Sequence, residues 1–338
     1  MAHEVLFKNS NVLTRKNSLT EVTEPVQEDL AVFRKFFKNE IRSDVFLLDQ
    51  VIHYLLRQKG KEIRPTLVFM TARMFGEVDK RSFIAATMIE LLHTATLIHD
   101  DVVDEADMRR GFLSINKIWR NKAGVLLGDF LLSKGLLIAL DHKEYQLLHV
   151  LSDAVRLMSE GELRQLKTSN LFNMTEERYF QIISEKTASL ISACCQCGVI
   201  ATTDDEQVIR EMKEIGLKVG IAFQIKDDLF DYGLDDIGKP KRNDIKERKV
   251  TLPLIYALER ASKPKQLLIR RLMRKRKKSK KDIDRIVAFV HEQKGLEAAE
   301  QKMVEFSSDA MNRLKTLPVV KGLDDFEALV DFIITRKK

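Results

Sequence analysis

The chain has 338 residues, 44% of them apolar, with 14 Gly, 6 Pro and 3 Cys. That is ample sequence for a large core and too few breakers for a hairpin-rich or disulfide-stapled protein. Its net charge of +7 is local: the stretch Arg270–Lys281 (RRLMRKRKKSKK) holds nine basic residues and no acidic one, and without them 48 basic residues face 50 acidic. Residues 1–24 are polar and patternless and read as a mobile tail without a signal-peptide core. Residues 25–338 read as a single domain. Apolar residues recur at helical spacing from Val26 through AVFRKFFKNEI and DVFLLDQVIHYLL, and no linker or alternating strand pattern interrupts them. No apolar run reaches the roughly 18–20 residues of a membrane span. The expectation is a soluble, cytoplasmic, all-α protein.

Further along, Gly60-Lys61-Glu62-Ile63-Arg64-Pro65 sets two cations ahead of a proline suited to a helix first turn. Such a start has free N–H groups and could capture a phosphate; alone it is equally an ordinary solvated loop. From Glu90 the chain reads ELLHTATLIHDDVVDEADMRRG, an apolar helix that turns acidic at Asp100. Asp100 and Asp104, one helical turn apart, point the same way, with Asp101 beside them and Arg109 and Arg110 following. Carboxylates this close repel, and a hard cation such as Mg²⁺ between them, leaving positions open for substrate phosphates, is the natural remedy. Paired guanidinium groups suit phosphate oxygens. A solvated acidic helix end would explain this stretch if it stood alone.

Gly220–Gly233 (GIAFQIKDDLFDYG) repeats the DDxxD spacing in Asp227, Asp228 and Asp231, again after an apolar helical run, with Gln224 one turn upstream. One DDxxD is weak; two on separate helices are specific, and neither has the glycine and closing glutamate of a calcium-binding EF-hand loop. Cys194, Cys195 and Cys197 lack the partners of a zinc set and read as free core residues in a reducing compartment. The basic stretch 270–281 reads first as a solvated junction between helices, with transient contact to an anionic membrane surface as the alternative. Nucleic-acid binding has no accompanying motif or aromatic platform.

In order, GKEIRP, HDDVVDEADMRRG, GELRQL, EKTASL, FQIKDDLFD and IGKP…KVTLPLI resemble the motifs of the trans-polyprenyl diphosphate synthases, long-chain members such as octaprenyl diphosphate synthase above all. The match is dense from Gln58 to Ala257. Beyond it, KGLEAAEQKM and the closing FIITRKK agree in character. The resemblance implies a single large antiparallel helical bundle around a deep apolar cavity, acting as a homodimer. It implies Mg²⁺ (three ions with substrate bound) held by Asp100, Asp104, Asp227 and Asp231, supported by Asp101 and Asp228. Lys61, Arg64, His93 and Arg110 match the isopentenyl diphosphate site. Arg109, Lys186, Thr187 and Gln224 match residues around the allylic diphosphate, with Lys186 also in the catalytic set, and Lys239 and Lys249 close over that diphosphate. The implied reaction ionises an allylic diphosphate, attacks the cation with the double bond of isopentenyl diphosphate and loses a proton to the departing diphosphate. His93 is therefore read as substrate-binding and His99 as a buried structural residue.

One region departs from that pattern. The glycines usual after GKP and before the lysine of KxTLP are Arg242 and Arg248 here, which questions the flexibility of this lid and adds positive charge near the phosphates. Product length is read from Ala95 and Thr96. Ala95 lies about 7.5 Å along the helix axis from Asp100, where short-chain members carry bulky aromatics. Small residues imply an open floor and a product of about C35–C50, octaprenyl central; eight isoprene units of roughly 4–5 Å need about the length of a 25-residue helix. Quinone side chains are the expected use. A shorter-chain (C15–C20) synthase and a non-catalytic partner subunit of a hetero-oligomeric synthase are the alternatives.

Overall fold

The computed structural model describes residues 18–57, 60–104, 108–109, 112–167, 174–233 and 242–336. They form an all-α bundle, as expected. Helix boundaries follow local chemistry. Asp79 caps helix Lys80–Val103 by accepting from the backbone N–H groups of Arg81 and Ser82, and Ser82 accepts in return from the Asp79 N–H. Asp205 caps helix Glu206–Phe230 in the same manner, through Gln207 and Val208. Each such cap is worth about 1 kcal/mol.

These two helices lie in the core layer. Lys80–Val103 packs chiefly against Ile115–Asp141 and Ile63–Phe75, and Glu206–Phe230 lies between Ser189–Ile200 and Gly295–Leu314. Helix Ser189–Ile200 (SLISACCQCGVI) is buried on almost every side. Its small residues allow that, and the three cysteines are free and buried within it, as read from the sequence. Burial pushes the Cys194 thiol up to about 12 and raises the other two well above the ordinary thiol range, so these are inert core groups.

Three expectations need correction. Part of the stretch assigned to the tail is folded: Ser18 caps helix Leu19–Thr23 and Val22 is fully buried, while residues 1–17 lie outside the described residues. Two two-residue strands, Met108–Arg109 and Phe112–Leu113, pair antiparallel after the first motif, too short to show an alternating pattern. Lys80–Val103 and Ile115–Asp141 are both long and apolar enough to cross a membrane by length and composition. Scattered charges such as Glu90, Asp129 and Lys134 break the apolar runs without making these helices polar overall. The apolar window of the first is 67% buried inside the bundle, that of the second only 33%.

Candidate active site

Both aspartate motifs fall at helix C-termini: Asp104 ends Lys80–Val103 and Asp231 ends Glu206–Phe230. The negative end of the helix dipole adds to the mutual repulsion of the carboxylates there. The second motif is held tightly. Asp228 is 2% exposed and accepts from the Tyr179 hydroxyl at 2.6 Å and the Gln224 amide at 2.8 Å. Burial raises its pKa to about 7 against the pull of those two donors. Gln224, read as an allylic-substrate residue, thus also positions a carboxylate. Asp231 accepts from the backbone N–H of Asp244 at 2.7 Å, and burial together with the Asp244 charge raises it to about 6. Burial also raises Asp227, partly offset by its ion pair with Arg336 and by the charge of Lys61. Just beyond, fully buried Tyr232 bonds the hydroxyl of Thr251 in the KVTLP motif at 2.8 Å, tying this helix end to the segment that carries Lys249.

The first motif is open. Asp100 and Asp104 are exposed, whereas Asp101 is 5% exposed and its backbone carbonyl accepts from the Asn116 amide. His99, expected to be buried, is 31% exposed instead: its ring turns towards helix Ile115–Asp141, with a ring nitrogen 3.5 Å from Asp129.

Cations surround the two motifs. Burial works against the Lys249 ammonium, but Glu247, Asp244 and Asp104 outweigh it and raise its pKa. Lys249 therefore senses a carboxylate of each side. Lys186 and Thr187 lie on a π-helical turn, Ser184–Ala188, a feature frequent at functional sites. Two glycines let neighbouring helices close on that turn: a Cβ on Gly161 would come within 2.7 Å of the Lys186 nitrogen, and one on Gly220 within 2.6 Å of the Ala188 Cα. The Lys186 ammonium bonds Gln165 at 2.9 Å and pairs with Glu162. Pro65 sits in the first turn of helix Ile63–Phe75, as the sequence suggests, with Glu62 bonded to Arg34 and Lys61 exposed. Arg242 and Arg248 keep the left-handed backbone that glycine would favour, with φ of 48° and 66°, at a cost of about 1–3 kcal/mol each.

A cavity of about 650 Å³ runs beside the first motif. Arg34, Glu62, Glu90, His93 and Asp101 are among its polar lining residues, and Phe33, Phe37, Leu56, Leu97, Ile98 and Leu131 among its apolar ones. Ala95 is fully buried and lies outside that lining, and Thr96 bonds the His93 carbonyl instead. Arg110 and Lys239 lie outside the described residues, as does the side chain of Arg109. Sequence reasoning missed Asp244, Tyr179 and Arg336. The guanidinium of Arg336 stacks 4.1 Å from the Phe223 ring while pairing with Asp227; its only signal was the closing FIITRKK.

The donor set fits Mg²⁺ with a diphosphate. Among the described residues no three carboxylate, imidazole or thiol groups stand together as a metal cage. The fit rests on the pairs Asp100 and Asp104, and Asp227 and Asp231, each spaced one helical turn apart. A site that offers one or two carboxylates and leaves the other positions to water and phosphate oxygens is the Mg²⁺ pattern. Burial disfavours the charged forms of Asp228 and Asp231, and a cation beside them would favour those forms.

Fold and paired motifs together define a helical prenyltransferase with the isoprenoid synthase architecture. Residues 45–290 match the model of the polyprenyl synthetase family, and the chain belongs to that family. It is 34% identical to octaprenyl diphosphate synthase of Escherichia coli (strain K12) over 304 residues, covering 89% of this chain and 94% of that one. Its structure is similar to a decaprenyl diphosphate synthase from Rhodobacter capsulatus (TM-score 0.88, 31% identity, 95% of this chain and 100% of that chain). It is also similar to a polyprenyl synthase from Caulobacter crescentus CB15 complexed with calcium and isoprenyl diphosphate (TM-score 0.86, 29% identity, 95% and 99%).

Proposed function

We propose that this chain condenses isopentenyl diphosphate head-to-tail onto an allylic prenyl diphosphate and releases a long all-trans polyprenyl diphosphate. The observation that supports this most is the placement of Lys249, 3.7 Å from Asp244 beside the second motif and within the field of Asp104 of the first, which favours both carboxylate clusters serving one substrate. Asp100 and Asp104 on one side, and Asp227 and Asp231 on the other, would hold Mg²⁺, three ions when substrate is present. Mg²⁺ bound there supplies neutralisation of the charge that builds on the leaving diphosphate. Asp101 and Asp228 fix the geometry from beneath. Lys186 and Lys249 add donors aimed at the leaving group, Thr187 and Gln224 line its approach, and Arg109 and Lys239 complete that set. Lys61, Arg64, His93 and Arg110 orient the second diphosphate. No nucleophilic side chain is needed.

The names of the relatives support a product of about C35–C50, with octaprenyl central, a tail that needs about a 25-residue helix length of space. Ala95 and Thr96 are small, but Ala95 is fully buried outside the cavity lining and carries no part of that support. The exposed apolar side of helix Ile115–Asp141, where Leu126 is 62% and Leu137 52% exposed, supports a homodimer formed across it. Buried free thiols suit a cytoplasmic setting. The test is to incubate the pure protein with Mg²⁺, farnesyl or geranylgeranyl diphosphate and isopentenyl diphosphate, and to determine the product mass. A C35–C50 chain is expected. A product of C15–C20 would replace the long-chain reading with the shorter one, and no product from either primer would return the partner-subunit reading.

A further inference from the structure

Helix Lys263–Arg274 buries Ile269, Leu272 and Met273 against the bundle, yet leaves Leu267 63% and Leu268 43% exposed. Helical spacing puts Pro264, Leu267, Leu268, Arg271, Arg274 and Lys275 along one side, and all six are exposed. Two leucines therefore share a solvent-facing side with three cations. The following turn continues the charge through exposed Arg276 and Lys277 to Lys280 and Lys281.

This face also reaches the lid. The Lys278 ammonium approaches the Lys246 carbonyl at 3.5 Å and senses the charge of Arg248, and Arg242 pairs with Asp284 on the next helix. The arginines that stand in glycine-type backbone thus join the basic stretch in space, beside the second aspartate motif. Some of the charge is neutralised locally: Lys275 pairs with Asp282 at 2.7 Å and Lys265 with Glu292 at 2.6 Å. Among the described residues, Arg271, Arg276, Lys277, Lys280 and Lys281 take part in no ion pair.

We propose that the face formed by helix Lys263–Arg274 and the turn to Lys281, extended by Lys246 and Arg248, docks the protein on anionic lipid bilayers, with Leu267 and Leu268 entering the headgroup region. A soluble anion or a nucleic acid would engage the cations and leave both leucines in water. A bilayer interface is anionic and apolar together, and matches both halves of the face. The placement beside the lid would release a long apolar product where it can partition. The docking itself needs only the exposed face, so it is measured without substrate and stands apart from the prenyl-transfer reading.

The experiment is co-sedimentation of the full chain with vesicles of phosphatidylcholine alone, or of equal parts phosphatidylcholine and phosphatidylglycerol, at rising salt. The wild type is expected to pellet with the mixed vesicles only, and less as salt rises. Neutralising Lys277, Lys280 or Lys281 to Gln should weaken binding about five-fold per charge, and Leu267→Ser with Leu268→Ser by roughly ten-fold. All these side chains are on the surface, so helicity and turnover of soluble substrates should be unchanged. Mixed vesicles that bind both variant sets as tightly as the wild type would overturn the proposal. So would wild-type binding to pure phosphatidylcholine at equal strength. Duplex DNA that binds as tightly as the mixed vesicles, and is insensitive to the leucine pair, would make the face a nucleic-acid surface instead.

Discussion

The middle aspartates of the two motifs, Asp101 and Asp228, are both buried, at 5% and 2% exposed. The outer pair Asp100 and Asp104 stand exposed at the end of helix Lys80–Val103, whereas Asp227 and Asp231 are half-buried and Asp228 between them is clamped by Tyr179 and Gln224. The second motif is further braced by the Asp244 backbone on Asp231 and by Arg336 on Asp227. Equal spacing therefore encodes the direction of the side chains, and with it the burial of the middle aspartate in both motifs, but not how far the outer pair is covered and braced. The second cluster is preorganised and carries raised pKa values, and the outer carboxylates of the first face solvent. A site that must admit two diphosphates in turn gains from one rigid wall and one open wall.

The comparison breaks most visibly if either wall is dispensable. Asp100→Ala and Asp227→Ala should each lower turnover by at least about 10²–10³-fold, the scale of losing one stabilising group at developing charge, while circular dichroism stays helical. Near-normal turnover for both at limiting Mg²⁺ would sink the two-motif reading. Lys61→Ala and Arg64→Ala should raise KM for isopentenyl diphosphate about ten- to a hundred-fold, the worth of a charge-assisted hydrogen bond at about 1.5–3 kcal/mol. Equal effects on both substrates would mean that the GKEIRP loop does not separate them.

The next outcome sharpens the difference in rigidity. Tyr179→Phe removes a donor from a buried carboxylate and should cost about 1.5–3 kcal/mol, visible as a lower Tm. Asn116→Ala, beneath the first motif, removes a neutral hydrogen bond and should cost about 1 kcal/mol. A similar shift in pH has a fixed sign. Asp228 and Asp231 have folded pKa values raised to about 7 and about 6, so between the ordinary carboxylate range and neutrality the folded state holds more protons than the unfolded one. Their contribution to stability is present at low pH and is lost as pH rises through those values. Metal-free protein should therefore lose a few degrees of Tm from this source on going from pH 5 to pH 8, and Asp228→Asn should flatten that slope; an unchanged slope would place the titration elsewhere. The smallest effect belongs to Arg336. Its guanidinium and a metal ion compete for the same half-exposed carboxylate, so Arg336→Met should lower the half-saturating Mg²⁺ concentration by up to about five-fold, the range of a partly exposed ion pair. A rise in that concentration would show that Arg336 assists metal binding.

Much of this was legible from spacing alone. The all-α class followed from helical periodicity with few breakers, and the position of each DDxxD at the end of an apolar run forecast where both acidic clusters sit. Pro65 in a first turn and the buried cysteines were readable for the same reason, since each depends on residues within a turn or two. The two short strands and the folded Leu19–Thr23 were not, because neither is long enough to display a period.

What the sequence by itself determined, then, is local: which segments are helical, which helix ends are acidic, and which family these motifs belong to. The tertiary structure alone decided that Asp227 is half-buried and Asp100 exposed, that Tyr179 reaches across 49 residues and Arg336 across 109 to the second motif, and that Arg248 lies beside the basic turn at Lys278. The physical reason is that pKa, ion pairing and surface charge are set by what stands nearby in space, and contacts between segments this far apart along the chain leave no periodic trace in either one.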